Sequence, residues 1–257
     1  MRYDLDTRNR ALTLLRDGVS NAEVSRRLGI PSGTVAWWLH RDRARNGGLP
    51  GAHRSTCHTC HGDPLDRTAY GYLLGLYLGD GHIFQSGKHR VPNLTIACCE
   101  DWPGLIDAAE DAVRRVFPHN SPCRVRRVGC TYVKVYSKHL DCHFPQHGPG
   151  KKHTRHIQLA PWQREIVDEH PWELIRGLVH SDGCRITNWT TRRGKRYEYP
   201  RYFFTNVSDD IRRIYTDALD RVGIAWKETR RGSTPYNISV ARRESVQVMD
   251  VHVGPKF

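Results

Sequence analysis

Nowhere in the 257 residues do apolar side chains run for the roughly 18 positions that a membrane span needs. The opening stretch, MRYDLDTRNR, carries no apolar core of the kind a secretion signal has. Acidic residues are also scarce: 27 Asp and Glu stand against 40 Lys and Arg, leaving a net charge of +13. The first two absences argue against a membrane partner and for the cytoplasm, where the eight cysteines are expected to stay reduced. The shortage of acid points to a polyanionic partner, nucleic acid foremost, with a basic but otherwise ordinary enzyme as the alternative. On that footing the expected place of action is the nucleoid.

What the chain does have begins with a basic helical head. Residues 1–54 hold ten Arg and five Asp or Glu, a net +5. A helix is expected over about Thr7 to Arg16, with Leu12 and Leu15 on one face and Gly18 after it. In SNAEVSRRLGIPSGTVAWWLHRDR, Ser20 and Glu23 stand at capping-box spacing, Gly29 permits a turn, and Pro31 suits a helix start. Val24, Leu28, Val35 and Leu39 are expected inward, which leaves Ser32, Thr34, Trp38, Arg41 and Arg43 for solvent or a partner. Residues 1–48 resemble a helix-turn-helix of the resolvase or sigma-factor type, whose second helix enters the DNA major groove. A small bundle used for protein contacts is the alternative.

Residues 49–64 read as a linker that ends in CHTCHGDP. Cys57 and Cys60 have the spacing of a zinc knuckle, yet they supply only two of the four ligands of a structural Zn²⁺ site. Cys130, Cys142, His143 and His147 are the candidates to complete it, and free thiols are the alternative.

Beyond residue 65 the chain repeats itself. YLLGLYLGDG ends an apolar helix with Asp80, and LIRGLVHSDG does the same with Asp182, 102 positions later. An acid at that end of a helix faces the negative pole of the dipole, a cost of a few tenths of a kcal/mol, so two such placements ask for a reason. Pro92 and Pro200 are 108 apart, and Lys151 and Lys256 are 105 apart. Between these landmarks both halves read as helix, two strands, helix, two strands, helix. The alternation in YVKVYS turns Val133 and Val135 inward and Lys134 outward. In CRVRRV, Arg124 and Arg126 are expected on the exposed face, opposite Val125. The run TTRRGKRYEYPRY reads as the longer hairpin loop of the second half, with an ordinary solvated loop as the alternative.

LLGLYLGDG and IRGLVHSDG resemble the two LAGLIDADG motifs of single-chain homing endonucleases. The resemblance covers residues 65–257; the added head and CxxC resemble an actinobacterial group that joins these parts. It implies an α+β fold: a pseudo-two-fold pair of αββαββα half-domains, 65–160 and 161–257, preceded by a small all-α helix-turn-helix domain. The motif helices would pack closely through small residues at four-residue spacing, Gly75 and Gly79 on one, Gly177 and Ser181 on the other. Gly81 and Gly183 would let the chain turn after each acid. Asp80 and Asp182 would ligate Mg²⁺ or another divalent cation, and Lys151 (or its neighbour Lys152) and Lys256 would stand near the scissile phosphates. Arg124, Arg126, Lys134, Arg201, Lys227, Arg230 and Arg242 would line a saddle over DNA.

The implied activity is site-specific, Mg²⁺-dependent cleavage of double-stranded DNA by a monomer that acts as a pseudo-dimer. The alternative is a non-cleaving, sequence-specific transcriptional regulator on the same scaffold. Against it stands the retention of both acids, which a regulator does not need.

Overall fold

The computed structural model describes residues 3–46, 57–87, 90–231 and 234–257, in two compact units, Met1–Arg54 and Ser55–Phe257. Of the expected linker 49–64, residues 49–56 lie outside the described residues.

The first unit contains helices α1 (Leu5–Arg16), α2 (Asn21–Leu28) and α3 (Ser32–Asn46). Asp4 caps α1 by accepting from Thr7 N at 2.6 Å, and Ser20 caps α2 by accepting from Glu23 N at 3.3 Å. The Glu23 carboxylate does not complete a capping box; it pairs with Arg26 and Arg27, at 2.8 Å each. Gly29 takes the left-handed conformation (φ 63°) that ends α2. The buried stripe of α3 is Val35, Trp38, Leu39 and Asp42, the i, i+3, i+4, i+7 pattern of one helix face. Trp38, expected outward, is therefore core and packs edge-on against Tyr3. The outward indole belongs to Trp37, which is 51% exposed.

The second unit opens with one-turn α4 (His58–His61) and then runs α5 (Arg67–Leu78), β1 (Gly81–Phe84), β2 (Asn93–Cys99), α6 (Pro103–Val116), β3 (Cys123–Arg127), β4 (Cys130–Tyr136) and short α7 (Leu140–His143). After α8 (Pro161–Glu169) the order recurs: α9 (Pro171–Asp182), β5 (Gly183–Arg192), β6 (Lys195–Thr205), α10 (Asp209–Arg221), β7 (Lys227–Arg231), β8 (Thr234–Val240) and α11 (Arg243–His252). Each run builds a four-stranded antiparallel sheet, ordered β1-β2-β4-β3 and β5-β6-β8-β7. The architecture is mixed α+β.

One apolar cluster runs through both halves. Leu73, Leu74, Leu78, Leu174, Ile175 and Leu178 of α5 and α9 are fully buried within it, each worth roughly 1.5–3 kcal/mol of burial. The stretch 190–202, expected as the long hairpin loop of the second half, lies in the β5–β6 hairpin, but as paired strand up to a turn at Arg193 and Gly194. Both faces there are largely solvated, so no apolar alternation marks the strands. No helix among the described residues is long and apolar enough to cross a membrane.

Candidate active site

Helices α5 and α9 touch backbone to backbone. A Cβ added at Gly75 would lie 2.6 Å from Leu174 O, 2.7 Å from Leu178 N and 2.8 Å from Gly177 Cα. At Gly177 it would strike Tyr72 O, and at Gly79 it would strike the Ser181 side chain. Small residues are required wherever two helix backbones approach this closely. Ser181 keeps its hydroxyl inside its own helix, donating to Gly177 O and Leu178 O at 3.0 Å.

That contact brings the two helix ends together, each followed by a strand. Asp80 follows Gly79, the C-cap of α5, and Asp182 is the last residue of α9. The ideal Cβ position at Gly79 lies 3.3 Å from Asp182 Cγ. Gly81 and Gly183 follow the acids for lack of room, not for a left-handed turn. Neither has positive φ, and a Cβ would press on Tyr77 Cα at 2.5 Å or Val179 Cα at 2.7 Å.

The reason for an acid at each negative helix pole lies in two lysines. Lys152 Nζ donates to the last carbonyls of α5, Tyr77 O (2.5 Å), Leu78 O (3.0 Å) and Gly79 O (2.5 Å). Lys256 Nζ donates to Ser181 O of α9 at 2.9 Å. Cations there offset the dipole and the carboxylates together. Lys151, the preferred partner from the sequence, is corrected: it is exposed, while its neighbour turns inward to the carbonyls.

The charges act on one another. Burial and then the Asp182 charge raise the Asp80 carboxyl to about 6, against the pull of Lys256 and Lys152. The outer edge of Asp80 still reaches solvent, so it is crowded on the protein side only. Burial also raises Asp182, opposed by a 2.7 Å hydrogen bond from Asn206 Nδ2 and by both lysines. Burial lowers the Lys152 ammonium to about 8, opposed by Asp182 and Asp80. His180, buried and held neutral with its value lowered to about 4, accepts from Tyr72 OH at 3.0 Å and faces Val253 O at 3.3 Å. It thereby ties α9 to the segment that carries Lys256. A cleft of about 170 Å³ beside the acids is lined by Asp80, Cys98, Trp102, His180, Ser181 and Lys256. A larger hollow, about 280 Å³ between α8 and α10, has its charges satisfied by internal pairs such as Arg221–Asp168 (2.6 Å) and His156–Asp210 (2.9 Å).

The basic residues divide. On α3, Ser32, Arg41 and Arg43 are exposed and Thr34 is half-buried; the Arg41 guanidinium lies 4.9 Å from the centre of the Trp37 ring. In the first sheet Arg124 pairs in register with buried Val133, and Arg126 with buried Thr131. Cross-strand partners share a face, so both arginines lie on the helix side. Arg124 there binds Asp107 (2.7 Å) and Glu110 (2.5 Å) of α6. The expected face of β3 is thus reversed: Cys123, Val125 and Arg127 share the outward face with Lys134 and Tyr132. In the second sheet Arg201 pairs in register with Ile186, its guanidinium 5.4 Å from the Phe203 ring centre, and Lys227 pairs with Ser239. Arg230 is exposed, 3.7 Å from Glu228. Arg242 sits off the strands, at the cap of α11. Cys57 and Cys60 cluster with His139 and Cys142; Cys130, His143 and His147 do not join them. Sequence reading missed Asn206, Arg127, Trp37 and His139. Of these only Trp37 left a signal, in the helical stripe that claims its neighbour.

No protein-family model matches the chain, and no curated protein matches it. Solved structures with a similar fold include the homing endonuclease I-DmoI in complex with DNA and Mn (TM-score 0.49, 15% identity, 73% of this chain and 97% of that one). Others are I-WcaI bound to its DNA recognition sequence (0.49, 10%, 76% and 84%) and the LAGLIDADG meganuclease I-AabMI bound to uncleaved DNA (0.45, 10%, 71% and 82%). Similarity this distant carries no argument about function.

Proposed function

We propose that the chain is a site-specific endonuclease that hydrolyses double-stranded DNA with a divalent cation. One observation carries this reading: Asp80 and Asp182, from opposite halves, meet at one centre where their carboxyls are raised and two lysines answer them. Raised carboxyls beside open solvent fit a site completed by a cation. An all-oxygen carboxylate donor set suits Mg²⁺ over softer metals. Bound there, the cation would supply Lewis-acid stabilisation of the phosphodiester and a more acidic water.

The chain's own groups do the rest. The two carboxylates hold the charge that binds the cation, and Asn206 fixes the orientation of Asp182. Lys152 and Lys256, anchored to helix carbonyls, bring positive charge to the scissile phosphates without needing to move. The outward sheet faces would lie along the duplex through Arg127, Lys134, Arg201 and Lys227. Residues 1–48 would act as a helix-turn-helix gripping flanking DNA through Ser32, Thr34, Arg41 and Arg43, joined by a linker over 49–64. The half-domains 65–160 and 161–257 would form a pseudo-two-fold pair, so that one monomer spans an imperfect palindrome at a bacterial nucleoid.

Incubation with genomic fragments that include the protein's own locus tests this. Double-strand cuts are expected with Mg²⁺ and not with EDTA, falling on the order of 10²-fold or more in Asp80→Asn and Asp182→Asn. Tight, metal-indifferent binding at a promoter with no cut in Mg²⁺ or Mn²⁺ would replace this reading by the regulator.

A further inference from the structure

Two one-turn helices of the second unit, α4 near its start and α7 after β4, lie against each other. Cys57 is the N-cap of α4 and Cys60 lies three residues on; His139 is the N-cap of α7 and Cys142 lies three residues on. This matched i, i+3 spacing puts both members of each pair on one side of its turn. The four ligand atoms all lie within 4.8 Å of one another.

We propose that Cys57, Cys60, His139 and Cys142 form a structural Zn²⁺ site. The donor set is the Cys₃His type that favours tetrahedral zinc. Two thiolates on one zinc, at Zn–S bonds of about 2.3 Å, stand about 3.8 Å apart. Cys60 Sγ and Cys142 Sγ are 3.3 Å apart, well beyond the roughly 2.05 Å of a disulfide. Two contacts fix the first turn: Cys60 N donates to Cys57 Sγ at 3.3 Å, and Asp63 Oδ2 accepts from Cys57 N at 2.9 Å. Asp63 also lies 3.4 Å from His61 Nδ1, and the His61 ring packs edge-on against His139, centroids 5.2 Å apart. Four-residue helices have no stability of their own, and these are joined across 82 residues of chain at Cys60 and Cys142. The metal would fasten residues 57–62 to α7. Ten residues beyond Cys142 stands Lys152, so the same clamp would steady the segment that reaches α5. This site is independent of the cleavage reading, since a non-cutting protein would need it equally.

The full chain, expressed in zinc-trace medium and purified without a metal-affinity step, should contain about one zinc per chain by elemental analysis. Co²⁺ in its place should give the thiolate charge-transfer and tetrahedral d–d bands. Cys142→Ser should bring zinc to about none, His139→Cys should keep it, and Cys123→Ser should match the parent. His139→Cys retains four ligands, so its result stands even where Cys142→Ser does not fold. A folded parent with little zinc, with its thiols free or with Cys60 and Cys142 oxidised to a disulfide, overturns the proposal. So does zinc that survives in folded Cys142→Ser.

Discussion

At Asp80 the charge of one half acts on the acid of the other. The Asp80 carboxyl is raised from 3.8 to about 6 by burial and by Asp182. The folded chain therefore holds more protons than the unfolded one between those values. The resulting stability is present below the unfolded value and is lost as pH rises through about 6. At neutral pH the ionised acid costs the fold stability, a cost that the proposed cation site would account for. Without divalent cations, Asp80→Asn should melt above the parent at pH 7.5, and the gap should close as pH falls towards 4. If Asp80 ligates the cation as proposed, millimolar Mg²⁺ should then raise the parent more than the variant. Thermal scans in EDTA and in Mg²⁺ at both pH values decide this; a variant less stable than the parent in EDTA at pH 7.5 contradicts it. The acids were legible from sequence because both close an apolar helix with a glycine after them. The choice between Lys151 and Lys152 was not, since adjacent lysines in an irregular segment carry no period to say which one turns inward. His139 left no trace either: it clusters with a CxxC that lies 79 residues upstream of it, and nothing local marks that return.

Among the elements, the α5–α9 pair is the one whose geometry a single methyl tests. Alanine is the better helix former by about 1 kcal/mol, so glycine at the interface is retained against propensity. At Gly75 every clash is with backbone, at 2.6 to 2.8 Å, and backbone cannot rotate aside; overpacking of that kind costs about 1–3 kcal/mol. The clash outweighs the propensity gain. Gly71, one turn earlier, meets only the Glu173 Cβ at 3.3 Å and His170 atoms at 3.7 and 3.8 Å. Urea unfolding should show Gly75→Ala destabilised by about 1–2 kcal/mol net, with Gly71→Ala unchanged or slightly stabilised. Equal behaviour of the two would deny the close crossing. The spacing of small residues made this interface readable in advance. Strand faces were less so. In CRVRRV, charge occupies both parities, so alternation could be seen while its phase could not, and Arg124 proved to be a partner of α6. The β5–β6 hairpin is held by backbone pairing and by solvent-side contacts, such as the Arg196 guanidinium 5.1 Å from the Trp189 ring centre across the strands. None of these leaves a hydrophobic pattern.

Across the whole molecule, a net charge of +13 says that DNA would be held largely through phosphate, but it does not say by which residues. The ion pairs do. Arg124 is satisfied inside the fold by Asp107 and Glu110. Arg127 and Lys134 share the opposite face of the same sheet with no carboxylate in cross-strand register. Phosphate binding releases condensed counterions, so each contact adds about 0.9 to the slope of log affinity against log salt. If the outward face lies along the duplex, Arg127→Gln and Lys134→Gln should each flatten that slope by about 0.9 or less, weakening binding similarly on target and non-target DNA. Arg124→Gln should leave the slope unchanged and instead lower the melting temperature, because it breaks a tie between β3 and α6. Fluorescence anisotropy over a KCl series reads the slopes directly. The opposite result, a flattened slope in Arg124→Gln and none in Arg127→Gln, would mean that the duplex meets the helix side of the sheet. The two carboxylates could not then share one phosphate path with the basic strands, and the cleavage reading would lose its geometry along with its binding face.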